Sequence, residues 1–409
     1  MKISFIHAAD LHLGLRLTRF DKDCADKVRG ARIQALENIL AEAKNRAADF
    51  IIIAGDLFDD NAIDSTTSRR TFHILESSTV PVFVLPGNHD PLLPGSVWER
   101  EPWSQEQTKR LRVLCGRQSL EVKPGVILFP CPVFRKTSLE DPTLWIPPRS
   151  TLEDDSVIRI GVAHGSIRDR QNLPDDDHLI DMHAAENKGL DYLALGHWHK
   201  MGFYYDADGT CRATYPGVHE PMCFRGADSP YTGWVPYAPD ANRDVFLDEG
   251  SGEVLLVTID RPRAKPRIER LSVGHLKWTS EAYTLLTEKE VGQLISKIAT
   301  RPMPERSLVR LRLEGVLNAK AMLRLDELKD VLKERYLHHE VDTSRLHLTP
   351  EEEEIREVAG RGVLRLVLEG LITEAKATAA DESEEAGSRK AIAERAIMVL
   401  YQIAKEVQQ

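Results

Sequence analysis

Two hydrophobic rhythms alternate along the first half of the chain. Short continuous apolar runs, "KISFIHAAD" (2–10), "DFIIIAGD" (49–56) and "VPVFVLPGNHD" (80–90), read as buried strands. Between them, "VRGARIQALENILAEAKNRAA" and "STTSRRTFHILESS" repeat apolar residues at close to a helical period, which predicts amphipathic helices. More strands are predicted in "VILFPCPV", "VIRIGVAHG", "DYLALGHWH" and "GFYYDADGTCRATYPG". In "DVFLDEGSGEVLLVTID" the turn residues Glu249-Gly250-Ser251-Gly252 predict a hairpin. Early βα alternation followed by later strands predicts an α/β sandwich, with helices flanking mixed β-sheets.

Beyond "DRPRAKPR", which reads as a linker, strand-like and helix-like segments alternate again up to "TSRLHLTP". They predict a small α+β domain. Residues 351–377 and 387–407 read as two helices, with Ile392, Ala396, Val399, Ile403 and Val407 on one face. That face either binds a partner or packs against 355–372. The predicted domains are therefore 1–262, 263–349 and 350–409. A chain of 409 residues exceeds a single core, which agrees with more than one domain.

The five cysteines form no CxxC pair and are odd in number, which predicts reduced thiols and a cytoplasmic location. No run approaches the ~18 apolar residues of a membrane span, so no membrane association is expected. The net charge of −10 is unevenly spread. Residues 1–260 hold 28 Lys+Arg and 39 Asp+Glu, a balance of −11, whereas residues 261–349 hold 18 and 12, a balance of +6. Acidic metal ligands would themselves make the first segment negative. The basic segment either meets phosphates or is a solvated surface.

Five of the first domain's apolar runs end in groups that bind metals. They supply Asp10 and His12, Asp56, Asn88 and His89, His164, and His197 and His199. Strand ends in open α/β sheets converge on one crevice, so these groups are expected to meet. Seven candidate ligands (Asp10, His12, Asp56, Asn88, His164, His197, His199) exceed what one ion needs. Two ions can clamp the attacking and leaving oxygens of an in-line displacement. Asp56 is the natural bridge, because Gly55 lets the chain turn tightly before it. Mixed imidazole and carboxylate donors suit Mn, Fe or Zn better than Ca. His89, facing away from its neighbour's ion, is free to protonate the leaving oxygen or stabilise the transition state. Phosphoester hydrolysis follows. No P-loop or GxSxG motif points to an NTPase or to acyl transfer.

In this order, "DLH" (10–12), "GDLFDD" (55–60), "GNHD" (87–90), "AHG" (163–165) and "GHWH" (196–199) resemble the calcineurin-like metallophosphoesterase superfamily. Within it the chain resembles the SbcD/YhaO type of DNA repair exonuclease, kin of the meiotic recombination protein eleven nuclease. The likeness is strong over 1–260, moderate over 261–349, and merely helical beyond. It implies two divalent ions, Mn first, with Mg, Fe or Zn as alternatives. One would be held by Asp10, His12, Asp56 and His199, the other by Asp56, Asn88, His164 and His197. It also implies a second domain that caps the site and seats DNA, and a helical tail that docks an SMC-like coiled-coil ATPase of the SbcC/YhaN type. The expected function is Mn-dependent exonuclease and endonuclease action in double-strand break repair, and a homodimer is a further expectation. The alternatives are a small-molecule or nucleotide phosphodiesterase or phosphatase on the same fold, and a catalytically inactive scaffold. Where archaeal and eukaryotic members carry a phosphate-steadying His, this chain has Asp59.

Other residues read more simply. His7 is expected to be structural, and Asp90 either orients His89 or is a turn residue. Trp98 and Trp103 are expected to pack their loop rather than stack on bases. His178, His183 and His219 lie in long loops and are expected to be solvated.

Overall fold

A computed structural model describes residues 2–104, 108, 110–151, 156–168, 177–224, 247–248, 252–348, 363–377, 389 and 392–401. They form two compact units. One comprises the described residues up to Lys277, the other those from Trp278 onward together with Phe224.

The first unit opens with β1 (Ile3–Ala8), α1 (Lys22–Asn45), β2 (Phe50–Ala54), α2 (Ser65–Glu76), β3 (Val82–Leu85) and β4 (Leu111–Val113). These four strands are parallel neighbours. Each helix starts at an aspartate that caps its free amides: Asp21 accepts from Cys24 N, and Asp64 from Thr66 N and Thr67 N. A second sheet follows from β5 (Leu120–Lys123), β6 (Val126–Cys131), β7 (Ile158–His164), α3 (Ala184–Asn187), β8 (Tyr192–Gly196), β9 (Met201–Tyr205), β10 (Cys211–Pro216) and β11 (Leu247–Asp248). Its order is β11-β9-β10-β8-β7-β6-β5. The chain then returns to the first sheet with β12 (Glu253–Ile259), antiparallel to β1, and β13 (Arg267–Ser272) at its edge.

The two sheets face each other because their central strands are apolar on both sides. On β1, Ile3 and Phe5 enter the core between the sheets, while Ile6 and Ala8 enter the core beneath the helices. On β2, Phe50 and Ile52 split from Ile51 and Ile53 in the same way. Full burial of each such side chain contributes roughly 1.5–3 kcal/mol. The outer face of the second sheet packs Ile146, Ile167, Ile180 and Ala184 from loops and the short α3. The predicted α/β sandwich is therefore the observed one.

The hairpin expected around Glu249–Gly252 is not formed as expected. β11 pairs with β9 in the second sheet, whereas β12 pairs with β1 and β13 in the first. Residues 249–251 of the turn lie outside the described residues. The apolar run of β12 is wanted at the edge of the parallel strands, and this overrides the local turn signal. Because β13 pairs with β12, the first unit extends past residue 262 to Lys277.

The second unit is α+β. It runs β14 (Lys277–Leu285), α4 (Glu288–Ala299), β15 (Ser307–Leu317), α5 (Ala319–Arg335) and β16 (His338–Leu348), with sheet order β14-β15-β16. Thr287 and Glu290 form a capping box at the start of α4. Leu294 and Ile298 of α4 pack with Leu325, Leu328 and Leu332 of α5 over Val309 and Leu311. Helix α6 (Val363–Ala377) and helical residues 392–401 bury Leu368, Ile372, Ile397 and Tyr401 with Val316 of β15. Of the face predicted from Ile392 and Val399, both residues are exposed, at 65% and 38%, and do not pack inside the helix pair. Ile403 and Val407 lie outside the described residues, as does 355–362.

Candidate metal centre

Every strand-end group singled out in the sequence reaches one place in the first unit. His164 ends β7, short loops after β1, β2, β3 and β8 carry the others, and the backbone is strained where several of them turn. Asp10 (φ 56°), His12 (φ 43°), Asp56 (φ 53°) and His197 (φ 111°) all adopt positive φ. Such conformations disfavour non-glycine residues and persist only where the surroundings hold them. Gly55 and Gly87 make the convergence sterically feasible. A Cβ on Gly55 would lie 1.9 Å from His164 Nδ1, and one on Gly87 would lie 2.2 Å from Asp56 Oδ1.

The donor atoms fall into two overlapping sets. In one, His12 Nε2 and His199 Nε2 are 3.0 Å apart, and donor atoms of Asp10, His12 and His199 lie within 4.8 Å of one another. In the other, Asn88 Oδ1 is 2.8 Å from His164 Nε2 and 3.0 Å from His197 Nδ1. Asp56 Oδ2 lies between the sets, 3.7 Å from His12 Nε2 and 3.3 Å from His164 Nε2. Its other oxygen, Oδ1, accepts the amide of His89 at 2.8 Å. Asp10 accepts the amide of His197 on both oxygens, at 3.0 and 3.1 Å.

Asp10, His12, Asp56 and His164 are buried. Burial drives the Asp10 carboxyl well above its usual range, with the Asp56 charge adding to the effect. Burial also works against ionisation of Asp56, but the His164 imidazole, then His12 and His89, hold it below the ordinary carboxylate range. The same pairing runs the other way in His164: burial opposes its charge, the Asp56 carboxylate overcomes this, and its pKa rises to about 9. Two buried carboxylates ringed by imidazole nitrogens form a donor set that divalent cations fit and that is costly without positive charge.

The surrounding contacts fix the rings. His164 Nδ1 donates to Ala54 O at 2.9 Å, which leaves Nε2 to face the centre. His197 Nε2 stands 3.1 Å from Asp177 Oδ1, and Ser166 Oγ donates to the other oxygen of that carboxylate. Asp177 was not singled out in the sequence; its only signal was the acidic run Asp175–Asp177 within a long loop. His89 Nδ1 donates to Asp59 O at 2.9 Å, and its ring is the exposed member of the group, at 43%. His89 also lies with His12 and Asp56 inside 4.8 Å. Asp59 Oδ1 is 3.3 Å from His12 Nδ1, near enough for charge pairing but not aligned for a hydrogen bond.

Asp90 does not orient the His89 ring. Its carboxylate accepts Phe58 N at 2.9 Å and Gly87 N at 2.7 Å, tying the loops after β2 and β3 together. His7 is buried and neutral, its pKa lowered to about 3 by burial. Its Nε2 donates to Leu195 O at 3.1 Å and its Nδ1 accepts from Tyr192 OH at 2.9 Å. Trp98 and Trp103 pack in the core beneath the helices and donate to Asp90 O and Ser68 Oγ. His178 and His219 are not solvated: both are buried, donating to Arg135 O and Lys136 O and to Arg32 O respectively.

The model of one protein family matches this part of the chain. Residues 3–201 match the model of the calcineurin-like phosphoesterases. The family implies metal-dependent phosphoester hydrolysis and a pair of divalent metals, and the seven donors lie within the matched segment. The chain is 25% identical over 207 residues to an uncharacterised metallophosphoesterase, YhaO, of Bacillus subtilis, covering 48% of this chain and 49% of that one. It is 26% identical over 247 residues to the DNA double-strand break repair protein Mre11 of Archaeoglobus fulgidus, covering 55% and 52%. With Mre11 of Methanopyrus kandleri the identity is 24% over 235 residues, covering 53% and 49%. The chain thus spans about half the length of the curated relatives it matches. Among solved structures, TT1561 of Thermus thermophilus aligns at 14% identity and TM-score 0.39, covering 67% of this chain and all of that one. Among the described residues, no helix is long and apolar enough to cross a membrane.

Proposed function

We propose that the chain is a Mn-dependent DNA nuclease acting in double-strand break repair by two-metal phosphodiester hydrolysis. The observation that carries the reading is Asp56 Oδ2 placed between two imidazole sets, with His89 beside it. Similarity to two Mre11 proteins supports DNA as the substrate.

In this reading Asp10, His12, Asp56 and His199 hold one ion, and Asp56, Asn88, His164 and His197 hold the other. When bound, the ions supply positive charge against the phosphoryl group and the attacking water. The residues do the remainder. Asp56 stays ionised and is shared by both sets. Ala54 O and Asp177 fix the rings of His164 and His197. With its Nδ1–H held on Asp59 O, His89 in its imidazolium form would donate the Nε2 proton to the leaving oxygen and be left as the neutral imidazole.

The second unit is assigned to seating DNA, together with the basic stretch 261–277 at the end of the first unit, which holds six Lys and Arg against one Glu. Exposed apolar residues on the C-terminal helices, Val363 at 77%, Leu366 at 74% and Ile392 at 65%, support docking of an SMC-like coiled-coil ATPase. The test is incubation with Mn²⁺ and two substrates, end-labelled duplex DNA and a generic small phosphodiester, with His89→Ala as control. DNA cutting lost in the variant is the expected result. Hydrolysis of the small ester alone favours a nucleotide or small-molecule phosphodiesterase, and hydrolysis of neither favours the scaffold.

A further inference from the structure

The turn that carries Asp10 and His12 is strained at both residues, with φ 56° and 43°. Its amides are tied to the neighbouring loop: Asp10 N donates to Gly55 O, His12 N to Asp56 O and Leu13 N to Leu57 O. The carbonyl between the two strained residues, that of Leu11, faces the other way, into α1. There Arg32 meets it with two donors, Nε at 3.0 Å and Nη2. The third arm of the guanidinium, Nη1, donates to Glu220 O at 3.0 Å. The Glu220 carboxylate in turn accepts the amides of His275 and Leu276. Arg32 is 1% exposed.

A buried guanidinium beside this centre is electrostatically adverse to cations. The carboxyl charges of Glu220, Asp59 and Asp10 act on it, so it competes with bound metal for the same negative charge. Its geometry points to a compensating use. Only a planar fork places two N–H groups on one carbonyl oxygen, and a lysine ammonium cannot hold that carbonyl in one orientation.

We propose that Arg32 is a positioning residue: it grips the Leu11 carbonyl and thereby holds Asp10 and His12 in the strained conformation that aims both side chains at one metal. It touches neither metal donor directly. The inference rests on the metal-centre reading. The two possible roles differ in sign. If Arg32 acted only through its charge, its removal would tighten cation binding; as a positioning residue, its removal weakens binding.

The test uses the full chain, with Mn²⁺ as the probe, and the variants Arg32→Met and Arg32→Lys. Calorimetric titration of Arg32→Met is expected to show one Mn²⁺ site weakened roughly 10–100-fold, the range for residues that orient metal ligands, with the other site little changed. Arg32→Lys, which restores one donor, should recover part of the loss. With chelator present, hydrogen exchange over residues 9–15 should quicken in Arg32→Met. This readout needs no metal and no DNA, so it separates failure of this proposal from failure of the functional reading. Native or tighter Mn²⁺ binding in folded Arg32→Met, or unchanged exchange over 9–15, overturns the proposal. Should Arg32→Met fail to fold, Arg32→Lys decides: weakened binding at one site supports the proposal, and native binding at both sites overturns it.

Discussion

Asp56 Oδ2 lies 3.3 Å from His164 Nε2, in a place closed to water. Without a cation the two form a buried ion pair, which is why the His164 pKa stands at about 9 against an ordinary 6.5. A metal ligand must present an unprotonated nitrogen. At neutral pH an incoming ion therefore displaces the proton on His164, and less displacement is needed as pH approaches 9. Mn²⁺ affinity is expected to rise between pH 7 and pH 9, with proton uptake by the buffer. Titration calorimetry in buffers of different ionisation enthalpy measures this. Binding without proton release would place His164 outside the ligand set.

Asp56→Asn keeps the shape of the side chain and removes the charge shared by both donor sets. It should abolish high-affinity binding of both ions and lower turnover by roughly 10³-fold or more, the scale of several kcal/mol of lost metal assistance. Metal content of the purified variant is the decisive measurement. Two retained ions with full activity would remove Asp56 from its bridging position.

His89 differs from the other donors in having an exposed ring and an Nδ1 committed to the Asp59 carbonyl. His89→Ala is expected to retain both metals and lose about 10²–10⁴-fold in turnover, the usual scale of a general acid. Its proximity to His12 and Asp56 gives the opposite result a clear meaning. If an ion is lost, His89 is a ligand rather than a proton donor.

The candidate centre was legible because each donor directly follows an apolar run, and strand ends meet in an α/β sheet. What surrounds the donors was less so. Asp177 reaches His197 from a long loop, at a sequence distance that no local pattern reports. His219 looked solvated in a Pro/Gly-rich segment, yet it packs against the backbone of α1 through Arg32 O. Asp90 stood beside His89 in "GNHD", but its carboxylate turns to the amides of Phe58 and Gly87. In the last helix the apolar positions were sound, but which face was buried depended on Leu368 and Ile372, whose partners a helical period does not name.

Glu220 makes a second pH prediction, one of stability. Burial raises its pKa from 4.5 to about 7, although the amides of His275 and Leu276 and the charge of Arg32 pull the other way. The folded state therefore binds the proton more tightly than the unfolded chain. The stabilisation is full below about pH 4.5 and is lost as pH rises through 7. A displacement of this size is worth about 3 kcal/mol. In chelator, wild-type stability relative to Glu220→Gln should fall by that order between pH 4.5 and pH 8, as read by urea denaturation. Parallel pH profiles for the two proteins would show that Glu220 titrates normally.

The C-terminal helices offer a test of which face is structural. Leu368 is fully buried with Ile372, Ile397 and Tyr401, whereas Leu366, two residues earlier, is 74% exposed. Leu368→Ala should cost about 2–5 kcal/mol in the local stability of this helix pair, through lost burial and the cavity left behind. Leu366→Glu should change it by no more than about 0.5 kcal/mol, since it removes no buried contact. Hydrogen exchange across Val363–Ala377 reads both. In the same proteins, Leu366→Glu should sever co-purification with an SMC-like ATPase while leaving exchange and metal content intact. The two substitutions therefore separate a helix pair that merely folds from one whose outer face seats a partner. Full co-purification in Leu366→Glu would move the docking site off this face.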